Sequence, residues 1–198
     1  MRSDAELLTL QALRLAGYAD EEGVADRALL RAADLRAVLA AARDAGHVES
    51  MSVGGSSGWL PTEHGLEHLR GLLAAEADRD GGRPVLDTAA ARFEEINGPF
   101  VETVSRWQLR STAAGSAEDA PEELLAPLGE HGAALRSVLA DLVAIRPRFG
   151  RYPAQYDLAL RRARTEGLGW VTGVGILSCH VVWAELHQDL LSSRGCSR

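Results

Sequence analysis

The residues that decide the fold are Glu22–Gly65, EGVADRALLRAADLRAVLAAARDAGHVESMSVGGSSGWLPTEHG. Glu22–Ala28 has length for two helical turns, with Val24 and Ala25 inward. Leu29-Leu30-Arg31 supplies a tight turn. Ala32–Ala45 places Leu35, Val38, Leu39 and Ala42 at helical spacing, and Gly46 sits where a helix C-cap glycine belongs. His47–Val53 then alternates small or polar with apolar residues, Gly54–Gly58 forms a loose turn, and Trp59-Leu60-Pro61 returns, which predicts a hairpin.

Working outward, Asp4 can cap a first helix whose apolar face is Leu7, Leu8, Leu10, Leu13 and Leu15, with Gly17 ending it. Thr62, three residues before Gly65, opens a further helix striped by Leu66, Leu69, Leu72 and Leu73. The order is three helices, a hairpin and a helix. Ala45-Gly46-His47-Val48, a Gly/Ser hairpin and Trp59-Leu60-Pro61-Thr62-Glu63-His64-Gly65 resemble the glycine, hairpin and Leu-Thr-x-x-Gly signature of MarR-like winged-helix regulators. Pro61 departs from that signature by standing between leucine and threonine. The resemblance implies that the third helix enters the major groove of double-stranded DNA, with Arg31, Arg36 and Arg43 as contacts.

Charge complicates this expectation. The 198-residue chain carries a formal charge of −7, its 21 basic residues are all arginine, and residues 1–76 alone sum to −5. A surface that neutralises phosphates ordinarily has a cationic excess. The exposed positions of the third helix are largely alanine, and Glu49–Trp59 has no arginine. The same arginines also fit the solvated face of an amphipathic helix. The alternative reading is therefore a winged-helix module without DNA binding, acting in ligand or protein contact.

Ala77-Asp78-Arg79-Asp80-Gly81-Gly82-Arg83-Pro84 has the composition of a hinge. It divides a winged-helix domain (1–76) from a hinge (77–88) and an all-α sensing and dimerisation domain (89–198). The expected fold class is mainly α, with strand only in the wing. In the second part Phe93, Ile96, Phe100, Val104 and Trp107 mark a helix interrupted by Pro99, where a kink leaves Asn97 free to bond elsewhere. Ser111–Pro121 reads as a surface loop. Glu122–Ile145 is helical with a break at Gly129–Gly132, Ala154–Thr165 is a helix, and a last helix runs from about Val174 to Ser192.

On that last helix Ile176, His180, Trp183, His187 and Leu190 share one stripe. His180 and His187 lie about 10 Å apart along the axis, too far to share a metal ion. No metal site is expected. The histidines are either satisfied structural groups or, with Trp107, Gln108 and Trp183, the lining of an effector pocket with Arg148 and Arg151 at its mouth. Ser178–Leu191, with Asn97, Trp107-Gln108 and Arg148–Tyr152, resembles a group of winged-helix proteins. Some of these stand alone as regulators; others are appended to PEP-utilising, pyruvate phosphate dikinase-like enzymes. Leu177 and Cys179 depart from the residues that resemblance leads one to expect.

No phosphate loop, nucleophile elbow, Cys-x-x-Cys pair or His-Glu-x-x-His motif occurs, so neither enzymatic chemistry nor a cofactor is expected. Two cysteines, Cys179 and Cys196, are too few for a disulfide framework. With no apolar signal segment or membrane-length run, the expectation is a cytoplasmic protein. The long apolar helices and the two-fold logic of operators predict a homodimer.

Overall fold

The computed structural model describes residues 4–53, 55–114 and 122–195. The protein is mainly helical, with one two-stranded antiparallel sheet among the described residues. Two compact units form. The first holds the chain up to Leu86 with Arg146–Arg148 and the residues from Gln188, and the second holds Asp87–Ile145 and Phe149–His187.

The first unit starts with α1 (Ala5–Ala16), whose first turn is capped by the Asp4 carboxylate accepting from Glu6 N and whose end is set by Gly17 at φ 73°. In α2 (Glu21–Ala28) Asp20 repeats the cap on Gly23 N, and Leu29 closes the helix in the left-handed region. Bulky residues seldom adopt that conformation, yet Leu29 needs it to send the chain directly into α3 (Ala32–Asp44). Leu7, Leu10 and Leu13 of α1 bury against Val24, Leu35, Leu39, Leu69 and Leu73 in one apolar core. Val38 is only half-buried.

Strands β1 (Val48–Val53) and β2 (Ser56–Pro61) pair from Val48 with Pro61 to Val53 with Ser56. The sheet is tied to the helices by Ala19, which exchanges both backbone hydrogen bonds with Trp59 (3.1 and 2.8 Å). Tyr18 packs on the hairpin where residue 58 is glycine; a Cβ there would stand 2.4 Å from the ring. Thr62 caps α4 (Glu63–Asp78) by accepting from Gly65 N at 3.0 Å, while its hydroxyl donates to Gly46 O at 2.7 Å.

The segment with hinge composition is mostly helical. It contains the end of α4, a 3-10 turn at Arg79–Gly81 and the start of α5 (Arg83–Ala114). The reversal is local, at Asp80 and Gly81, both at positive φ. Helix α5 also extends into the stretch expected as a loop, through Ala114; the rest of that loop, residues 115–121, lies outside the described residues.

In the second unit α5 continues through Pro99 and is joined by α6 (Glu122–Ile145), α7 (Arg151–Thr165), the short α8 (Gly169–Thr172) and, as far as His187, α9 (Cys179–Ser193). The break expected at Gly129–Gly132 does not occur: Gly132 instead allows close packing, since a Cβ there would lie 3.0 Å from the Tyr156 ring. The last helix starts five residues later than expected. Gly173 and Gly175, the latter at φ 84°, hold Val174–Leu177 in turns and leave Val174 on the surface. Ser178 then accepts from Val181 N at 3.3 Å as α9 begins. No helix among the described residues is long and apolar enough to cross a membrane.

Candidate functional site

Arg31, Arg36 and Arg43 all project into solvent from α3 and its N-cap, and each is paired with a carboxylate. Arg31 chelates Asp34 through Nε and an Nη at 2.8 and 3.0 Å. Arg36 Nε donates to Glu21 at 2.8 Å, and Arg43 reaches Asp44 at 3.2 Å. The three cations are thus locally neutralised. Beside them, an open depression of about 510 Å³ between α2 and the hairpin is lined by Asp20, Glu21 and Glu22 facing Ser50, Met51 and Trp59.

The residues expected to form an effector pocket are dispersed among different roles. Trp183 is buried, stacked on Phe100 at 4.0 Å between ring centroids, and its Nε1 donates to Asn97 Oδ1 at 3.0 Å. Asn97 thus finds its partner through the helix that carries Pro99. His187 Nε2 meets Glu94 at 2.7 Å, which fits a structural histidine. His180 is exposed, with its ring 6.5 Å from that of Phe100; Trp107 is half-buried and Gln108 exposed. Ile176 precedes α9, so the expected five-residue stripe loses its first member.

Arg148 and Arg151 do not stand at a pocket mouth; both are buried. In the first unit Arg148 donates to Glu76 at 2.6 Å, to both oxygens of Asp189 at 2.8 and 2.7 Å, and to Ser193 at 2.8 Å. Asp189 also accepts from Gln11 Nε2 at 2.8 Å, and Arg146 donates to the backbone carbonyls of Glu76 and Arg79. In the second unit Arg151 donates to Glu185 at 3.1 Å and to Tyr152 at 2.8 Å. A buried guanidinium requires such matched acceptors, because leaving it unpaired in a low dielectric is very costly. Sequence reveals the charge but not its burial, and the acidic partners lie 34 to 72 positions away.

One cluster goes unnoticed in the sequence. Glu6 of α1, His47 ahead of β1 and His68 of α4 meet with one ligand-capable atom each, all within 4.8 Å of one another. Glu6 Oε1 lies 3.2 Å from His47 Nδ1 and 3.4 Å from His68 Nε2, and the two imidazoles stack at 4.2 Å. His64 contacts His47 edge-on at 5.0 Å. The available sequence signal was His64 and His68, four apart on one helical face.

A comparison with protein families, curated proteins and solved structures finds no match to the chain.

Proposed function

We propose that this protein is a winged-helix, DNA-binding transcriptional regulator of MarR-like type that works as a homodimer. The observation that carries the reading is the element order α1-α2-α3-β1-β2-α4 around one core, with the hairpin braced by Ala19 and α3 exposing Arg31, Arg36 and Arg43. In such an arrangement α3 takes the major groove and the hairpin the adjacent minor groove. Carboxylate pairing does not exclude this role, because exposed ion pairs are worth only about 0–1 kcal/mol and a phosphate can replace the partner.

The test is titration of the full chain against fragments of its own upstream DNA at several salt concentrations. Three phosphate contacts per chain give a slope of log K on log salt of about −3, and a dimer about twice that. An Arg31→Ala, Arg36→Ala double variant lowers the slope and the affinity together. Absence of binding at low salt overturns the reading. Light scattering tests the dimer, which a monomer mass removes.

A second reading, a winged-helix module for protein or ligand contact without DNA, draws on the neutralisation of all three arginines and the acidic depression beside them. It predicts no DNA binding at any salt. An effector site on α9 has less support, since Trp183 and His187 are engaged by Asn97 and Glu94.

A further inference from the structure

We propose that Glu6, His47 and His68 form a binding site for a divalent transition-metal ion of the zinc class. Two imidazoles and one carboxylate are a ligand set suited to Zn²⁺, whose bonds to nitrogen and oxygen are about 2.0–2.2 Å long; tetrahedral ligands at that radius stand about 3.3–3.6 Å apart. The separations of 3.2 and 3.4 Å from Glu6 Oε1 to the two histidine nitrogens are close to that edge length.

The cluster is incompletely explained by its own hydrogen bonds. Glu6 is within hydrogen-bonding geometry of His47, but His68 Nε2, although 3.4 Å from the same oxygen, is a buried atom with no hydrogen-bond partner. Buried polar atoms are rarely left so. A metal ion would satisfy this lone pair and draw on the Glu6 charge at the same time. Glu6 and His68 each keep about a third of their side-chain surface in solvent, so an ion can arrive and water can fill the fourth position.

The backbone places His47 in advance. Its N–H donates to Ala42 O at 2.8 Å and its carbonyl accepts from Thr62 N at 3.0 Å. Gly65 lets α4 pass so close that a Cβ there would lie 2.0 Å from that carbonyl, which brings His68, one turn later, alongside His47. The backbone positions of both histidines are thus set before an ion arrives, and the stacked rings turn about their side-chain torsions to aim Nδ1 and Nε2 at it. An ion at this site joins α1, α4 and the base of the hairpin, so occupancy sets how firmly the hairpin is carried. This inference does not depend on DNA binding.

The test uses the purified full chain after chelator treatment, with Zn²⁺ in competition against a chromophoric chelator and Co²⁺ as a spectroscopic probe. The expected result is one ion per chain, Co²⁺ visible bands of a four-coordinate nitrogen–oxygen site without a thiolate charge-transfer band, and a melting temperature raised by Zn²⁺. His68→Ala and Glu6→Gln each weaken binding by about tenfold or more and reduce the thermal shift, while His64→Ala leaves both intact. Circular dichroism of the metal-free variants confirms folding. No saturable binding by the wild type, or wild-type affinity in folded His68→Ala, overturns the proposal.

Discussion

The guanidinium of Arg148 and the carboxylate of Asp189 face each other through two hydrogen bonds of 2.8 and 2.7 Å, with both side chains nearly excluded from solvent. Arg148 reaches Asp189 and Glu76 together, so its removal takes the guanidinium away from two buried acids rather than one. Arg148→Ala is expected to destabilise the protein by about 3–5 kcal/mol, the range for breaking a buried pair from one side. Replacing Arg148, Asp189 and Glu76 together by apolar residues of similar volume removes the buried charges but takes the Asp189 acceptor from Gln11 and Ser193, so it recovers part of that loss. Urea unfolding of the single and triple variants provides the check; equal stability of Arg148→Ala and wild type would remove the structural role.

Gly65 fixes the geometry at the start of α4. The methyl of Gly65→Ala would meet the His47 carbonyl, a backbone atom that is already bonded to Thr62 N and cannot swing aside. Overpacking of this kind costs about 1–3 kcal/mol, and a backbone neighbour places it at the upper end. Gly71→Ala in the same helix meets nothing within 4 Å and serves as the control, expected to be neutral or slightly stabilising because alanine is the better helix former. Thermal unfolding of the two variants separates close approach from helix propensity.

The sequence discloses what depends on local spacing. Asp4 and Thr62 announce their caps, Gly17 and Gly46 their helix ends, and Leu35, Leu39 and Ala42 their buried stripe, because each acts on residues within a turn or two. Partnerships across long separations are not disclosed: Arg148 with Glu76, or Glu6 with His47 and His68, arise only once helices are packed. The glycines mislead in both directions. Gly132 resembles a helix breaker yet serves close packing under Tyr156, while Gly173 and Gly175 delay α9 despite the apolar residues between and after them.

Cys179 is the first residue of α9, a position where the helix terminus ordinarily favours a thiolate. Burial outweighs that influence and pushes the thiol up to about 12, although the backbone hydrogen bond at Cys179 acts the other way. In a Cys196→Ser background the native protein is therefore expected to resist thiol reagents at mildly alkaline pH and to react fully once unfolded in denaturant. Rapid labelling under native conditions would show that this end of α9 opens readily.

His131 gives a pH dependence whose sign follows from its surroundings. Burial lowers its pKa from the ordinary 6.5, and the nearby charge of Glu130 only partly opposes this. The ring packs edge-on to Phe100, and its Nε2 lies 3.0 Å from Thr103 Oγ1. The Thr103 proton goes to Pro99 O, so the Thr103 oxygen accepts and the His131 ring donates from Nε2, a role the neutral Nε2–H tautomer fills. The unfolded chain takes up a proton at this position more readily than the folded one. Its contribution is complete above 6.5 and is lost as pH falls through 6.5 and then through the lower folded-state pKa. The informative quantity is the difference between wild type and His131→Gln, whose amide can still donate to Thr103. That difference is expected to be flat at neutral pH and above and to turn against the wild type on acidification. An NMR titration places the midpoint directly, and a midpoint at or above 6.5 would contradict burial as the governing influence.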